Sequence, residues 1–139
     1  MELIKLEGLT LAGLQNTLKK YLISSSIDND GDLHIPGSIP IYASFDKEKE
    51  VLRLFGSINT KYLDRTDEEI YKFTGKINIA SNSVKYSTLG KESIVFEYGI
   101  FMNGSVDEAF LINTIKMIIN EVNDTRALFP LIDEVLSTN

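Results

Sequence analysis

Cysteine is absent from all 139 residues. That excludes disulfides, thiolate nucleophiles and cysteine-based zinc or iron–sulfur sites, and it suits a reducing cytoplasm. Histidine occurs once, as His34, so a histidine-paired nucleophile has one place to form. Its neighbours Leu33 and Ile35 mark His34 as a strand residue pointing to the opposite, solvent-facing side, and no GxSxG elbow accompanies it. No uninterrupted apolar run approaches the roughly 18 residues of a membrane span, and the N-terminal MELIKLEGLTLAG carries Glu2 and Glu7 where a secretory leader is basic. Neither GxxxxGKS/T nor GxGxxG occurs, so nucleotide chemistry has no support. Basic clusters with interleaved aromatics are also missing, and 20 acidic against 14 basic residues give a net charge of −6 that repels phosphate backbones. Nucleic acid and membrane are therefore poor partners, whereas a basic protein surface is an acceptable one. The expectation is a soluble cytoplasmic protein.

What is present is enough for a core. With 43% hydrophobic residues, a chain of this length buries one without staples, and residues 1–139 read as a single domain. Leu11, Leu14, Leu18 and Tyr21 recur at helical spacing and predict a helix over about residues 9–23, with Lys19 and Lys20 near its end and Ser24 to Ser26 ending it. Short β-like runs follow at 33–35, 39–46 and 51–59. Pro36 and Pro40 lack the donor a central ladder needs and fit strand ends, and DKEKE suits a hairpin turn. Thr66 and Glu69 form a capping box that opens a helix to about residue 79, with Ile70, Phe73 and Ile77 as its buried stripe. Strands resume at 83–88 and 93–101, joined through Gly90. A second capping box, Ser105 with Glu108, opens the longest helix, striped by Leu111, Ile115, Ile118 and Val122 and running to about residue 128 before Pro130. The tail LIDEVLSTN holds one more helical turn or is loose. The order α-β-β-β-α-β-β-α implies an α+β fold with an antiparallel sheet of about five strands.

The acid-rich stretch SIDNDGDLHIPG at 26–37 is the foremost candidate for metal chemistry. A calcium loop needs oxygens at positions one, three, five and twelve and glycine at six. Starting at Asp28 puts Leu33 at six and Ile39 at twelve; starting at Ser26 places Gly31 correctly but Gly37 at twelve. Both registers fail. Asp30-Gly31 is instead a turn dipeptide, with weak cation binding as the alternative. Asp67, Glu68 and Glu69, like Asp107 and Glu108, sit where negative charge complements a helix dipole. Glu97 interrupts SIVFEYGIF on the face shared with Val95 and Phe101, where it faces water or an arginine such as Arg53, the alternative being a raised-pKa acid in a pocket.

The sheet has a second face. If helices cover Leu52, Leu54, Ile58, Ile94 and Phe96, then Tyr42, Val51, Phe55, Val95 and Phe101 leave an apolar strip ringed by Arg53, Lys85 and Glu97. Such a strip marks a partner surface, unless helices cover both faces or a homodimer hides it.

The order of elements, and especially NDGDLHI followed by IYASFDKEKEVLRLF, INIASNSVKYS and IVFEYGIFMNGSVDEAFLINTIKMII, resembles the YbjN family, whose members share the fold of type III secretion chaperones. The likeness extends over roughly residues 10–125. It implies an α+β sandwich with a curved antiparallel sheet, often dimeric in the chaperone branch, that binds other polypeptides; no enzymatic residues carry over and no secretion-specific feature is present. The leading expectation is a non-enzymatic interaction module without cofactor or metal, chaperone-like or regulatory, binding a polypeptide through the sheet face or by strand addition at an edge. The rival is an acidic immunity or antitoxin protein that neutralises a basic toxin. A third reading, an enzyme using Asp or Glu on a small ligand, has no convergent acid, base and pocket to name.

Overall fold

A computed structural model describes residues 3–81 and 83–138; Glu2, read above against a secretory leader, lies outside the described residues. In chain order the elements are β1 (Leu3–Lys5), α1 (Leu11–Lys20), β2 (Ser26–Ile27), β3 (Leu33–Ile35), β4 (Ile41–Asp46), β5 (Val51–Asn59), α2 (Asp67–Ala80), β6 (Lys85–Leu89), β7 (Ser93–Phe101), β8 (Ser105–Asp107), α3 (Glu108–Ala127) and α4 (Ile132–Ser137). Single 3-10 turns occupy Lys61–Leu63 and Phe129–Leu131. Strands β2-β3-β4-β5-β7-β6 form a six-stranded antiparallel sheet, and β1 pairs with β8 in a separate ribbon. The class is α+β, with the five expected strands present as β3 to β7.

The helices lie on one face of the sheet. Leu14 and Leu18 of α1, Ile70, Phe73 and Ile77 of α2, and Leu111, Ile115, Ile118 and Val122 of α3 share one buried cluster with Leu33, Ile41, Leu52, Leu54, Ile94 and Phe96 of the strands. The 3.6-residue stripe of each helix meets the two-residue alternation of the strands, and burying both is the main force that stacks the layers. Tyr86 joins this core from β6, its hydroxyl 3.0 Å from that of Thr125, and burial pushes its phenol up to about 12. Gly56 faces the same way: a Cβ there falls 2.5 Å from Cζ of Phe96 and 2.7 Å from the Pro40 carbonyl, so glycine is what lets β5 lie flat against them.

Local chemistry sets most boundaries. Thr10 caps α1 by accepting the Gly13 amide at 3.0 Å. This helix is shorter than its periodicity suggests, because Leu22 enters the left-handed region at φ 61 and Ile23 bonds back to the Leu18 carbonyl at 2.9 Å. Thr66 and Glu69 make both bonds of the predicted capping box, at 3.1 and 3.2 Å. Arg65 extends that cap, donating to Glu69 at 2.9 Å and to Asp133 of α4 at 2.7 Å, and these hydrogen bonds, more than its charge, hold both carboxyls below their usual range.

The second capping box does not form. Ser105–Asp107 is strand β8, whose register pairs Leu3 with Asp107 and Lys5 with Ser105, and α3 begins at Glu108 with Asp107 as its cap, accepting the Ala109 amide at 2.9 Å. A partner strand about a hundred residues away overrides the local motif. Glu108 is buried instead and pairs with Lys20 at 3.0 Å, tying the end of α1 to the start of α3.

Candidate functional site

Side chains alternate across a strand, so the residues between the buried ones form the sheet's other face. Among the described residues no helix packs there. The register aligns one residue from each strand into a continuous row, Ser26–His34–Tyr42–Phe55–Glu97–Lys85. A row of this kind brings neighbouring side chains within contact distance. The His34 and Tyr42 rings stack at 5.1 Å between centroids, and Tyr42 stacks on Phe55 at 5.8 Å. Flanking rows add Asp46–Val51–Phe101 on one side and Ser57–Val95–Ser87 on the other.

Arg53 closes the ladder. Its guanidinium lies 5.2 Å from the centre of the Phe55 ring and donates twice to Glu97, both bonds 3.0 Å. This planar fork is both a cation over an aromatic face and a bidentate partner for the carboxylate. The pair holds the Glu97 carboxyl below its ordinary range and raises the Arg53 guanidinium, with hydrogen bonding the larger cause for each. Glu97 is therefore a partnered surface carboxylate and not a raised-pKa acid.

All eight residues expected at the strip, Tyr42, Val51, Arg53, Phe55, Lys85, Val95, Glu97 and Phe101, stand on this one face. Phe101 is 75% exposed, while Tyr42, Val51, Phe55 and Val95 are half-buried by their neighbours. Two contributors escaped the sequence reading. His34 is part of the aromatic ladder and not an isolated surface group, which follows from the β3–β4 register alone. Gly99, opposite Arg53, leaves a shallow dip beside Val51, whose Cγ1 lies 3.0 Å from where a Cβ would stand.

The acid-rich stretch is a turn. Gly31 has φ 81, the Asp28 and Asp32 backbones bond at 2.8 Å, and Asp28 Oδ1 accepts the amides of Asp30 and Asp32, both at 2.9 Å. Asp32 points onto the open face, where burial, then Asp28 and Asp30, raise its carboxyl against the opposing pull of Arg53.

Strand addition meets an obstacle. The sheet's long free edge is β6, and there the Asn78 side chain of α2 accepts the Tyr86 amide at 2.8 Å and donates to the Tyr86 carbonyl at 2.7 Å. It occupies the Tyr86 groups, which an added strand would use. The opposite edge, β2, is two residues long.

A cavity of about 570 Å³ opens elsewhere, between the segment before α1 and the β4–β5 turn, with Leu9, Leu11, Phe45 and Met102 as its apolar floor. Of its polar lining, Thr10 caps α1, and Asp46 accepts the Lys49 amide at 3.1 Å within the turn. Those two side chains serve local structure. Among the described residues, no helix is long and apolar enough to cross a membrane.

No family model matches the chain, and no curated protein matches it. Solved structures do. YbjN of E. coli, described as a candidate transcription regulator, superimposes with a TM-score of 0.65 at 13% identity, over 84% of this chain and 87% of its own. An uncharacterized protein of Methanothermobacter thermautotrophicus gives a TM-score of 0.56, also at 13% identity, over 84% of this chain and 94% of its own. The fold is therefore YbjN-like.

Proposed function

We propose that this YbjN-like chain is a non-enzymatic protein-interaction module, chaperone-like or regulatory and working in the cytoplasm, that seats a polypeptide on the open face of its six-stranded sheet. One observation carries the reading: a continuous aromatic and cationic row crosses the sheet on the side the helices leave bare. Stacked rings and an arginine are the side chains that dominate interface energetics, since they offer large rigid area at little entropic cost. The description of YbjN as a candidate regulator agrees in kind, although function resides in sites and not in folds.

Phe55→Asp and Val95→Asp place unpaired charge in the middle of the strip and leave the core face untouched. Circular dichroism first establishes that both variants fold. Each then loses the polypeptides that the wild-type chain retains from its native cell, whereas Lys72→Ala, on the solvent side of α2, retains them. Equal recovery by all three rejects the face.

The crowded hairpin Asp28, Asp30, Asp32 favours a second reading, an acidic immunity or antitoxin protein whose partner is a basic toxin. Association would then be steered by charge and weaken steeply with salt. A salt-insensitive on-rate for the captured partner rejects it.

A further inference from the structure

Four apolar side chains that the fold only half buries converge on one hollow. Leu9 comes from the segment before α1, Leu11 from the first turn of that helix, Phe45 from the end of β4 and Met102 from just beyond β7. Leu11, Phe45 and Met102 also pack against the buried cluster, so the floor of this cavity of about 570 Å³ is an uncovered end of the core. Phe45 shares the Ala43 side of β4, which places the cavity on the helix side of the sheet, away from the Tyr42–Phe55 row.

Backbone hydrogen bonds set the walls. The Leu6 amide donates to the Gly104 carbonyl at 2.9 Å and the Leu9 amide to the Leu6 carbonyl at 3.2 Å, which fixes the segment before α1; the Met102 amide donates to the Glu50 carbonyl at 2.8 Å, which fixes the turn opposite. A preformed apolar hollow of about 300–1,000 Å³ with a few polar groups is the usual form of a small-molecule site. Charge then selects the molecule. Three carboxylates, Glu7, Asp46 and Glu50, line the hollow against one ammonium, Lys47. Asp46 serves its turn, but Glu7 and Glu50 are exposed at the mouth, and among the described residues neither carboxylate has a hydrogen bond or ion pair.

We infer that this cavity binds a small amphiphilic amine, its apolar body on the Leu9, Leu11, Phe45 and Met102 floor and its ammonium at the mouth with Glu7 and Glu50. An anion of the same shape meets excess negative charge, and a neutral one leaves both carboxylates without a partner. A compact cation gains nothing from the floor. A concave site of one sign with low-dielectric walls also concentrates ions of the other sign. The occupant extends the core and does not compete with a polypeptide on the open face; binding only the folded chain, it raises Tm with concentration.

Matched probes test the site: octylammonium, octanoate, 1-octanol and tetramethylammonium, each titrated against the methionine methyl signals. Octylammonium shifts the Met102 methyl saturably and raises Tm, while the methyl of Met117, which does not line the cavity, stays in place. Octanoate binds at least tenfold more weakly, 1-octanol falls between them, and tetramethylammonium leaves Met102 unmoved. Glu7→Lys with Glu50→Lys reverses the order of octylammonium and octanoate. Should that pair of changes disturb folding, Glu7→Gln with Glu50→Gln leaves Asp46 balanced by Lys47 and erases the preference. Absence of a saturable Met102 shift overturns the site, and equal affinity of the wild-type chain for octylammonium and octanoate overturns the ligand class. Phe55→Asp binds octylammonium as the wild-type chain does; loss of binding in that folded variant would overturn the separation of the cavity from the open face.

Discussion

Asn78→Ala separates the face from the edge as the working surface. The side chain makes two bonds to one residue, at 2.8 Å from the Tyr86 amide and 2.7 Å to its carbonyl. Each is worth about 0.5–1.5 kcal/mol net, so removing both costs roughly 1–3 kcal/mol. Alanine returns about 0.5 kcal/mol through its higher helix propensity. The expected loss is therefore about 0.5–2.5 kcal/mol, which for a chain of this size lowers Tm by roughly 2–12 °C. Urea unfolding measures the loss directly, with an unchanged m-value showing that the same surface is exposed. Amide hydrogen exchange localises it: the Tyr86 amide loses protection while amides in the middle of β5 and β7 exchange only by global unfolding. Freed of its cover at Tyr86, β6 also presents unpaired backbone groups, and the variant forms larger species at high concentration. A stability change below about 0.3 kcal/mol, a Tyr86 amide that stays protected, and no new association would together refute the view that Asn78 closes this edge.

Two further predictions concern the sheet itself. Gly56→Ala drives a methyl group into the Phe96 ring and the Pro40 carbonyl, and overpacking of this kind lowers stability by about 1–3 kcal/mol in denaturant titration; a neutral result would mean that β4 and β5 yield more easily than their packing implies. Glu97 titrates below its ordinary value of 4.5 because Arg53 binds its charged form; the stabilisation is fully present above 4.5 and is lost as pH falls through the depressed value. Both side chains are partly exposed, so the stability change stays below about 1 kcal/mol. A carboxyl carbon NMR titration reads the effect directly, and Arg53→Gln must return Glu97 toward its ordinary range.

Elements with a period of their own were legible in the sequence. The stripe Leu111, Ile115, Ile118, Val122 and the alternation through IYASFD and SIVFEYGIF each report local burial, and Thr66 with Glu69 reports a cap that needs no distant partner. Strands β1, β2 and β8 were not legible, because segments of two or three residues carry no periodicity and owe their form to the chain they pair with. The same cause misplaced the start of α3. Ser105 and Glu108 have the spacing of a capping box, but pairing with Leu3–Lys5 holds residues 105–107 extended and hands the cap to Asp107.

The open face was half-legible for a related reason. Alternation tells which side of a strand a residue occupies, so Tyr42, Phe55, Val95 and Glu97 separate from the core without any knowledge of neighbours. It does not tell which residues stand abreast. The link from β3 to β4 passes through Pro36 and Pro40, whose loop sets the register by a conformation that no local pattern announces, and that register turns a lone histidine into the end of a stack. Asn78 shows the converse: on α2 it reads as one more polar helix residue, yet it takes the Tyr86 backbone groups of the edge out of play. With the Tyr86 groups of that edge covered, Asp28 committed to its own turn and Asp46 committed to a neighbouring one, the half-buried rings of the row, with Asp32 toward its β3 side and Lys85 at its β6 end, remain to this face for interaction. A surface that is apolar at its centre and oppositely charged at its ends selects by orientation as well as by burial, so a ligand must match the direction of the row and not only its greasiness.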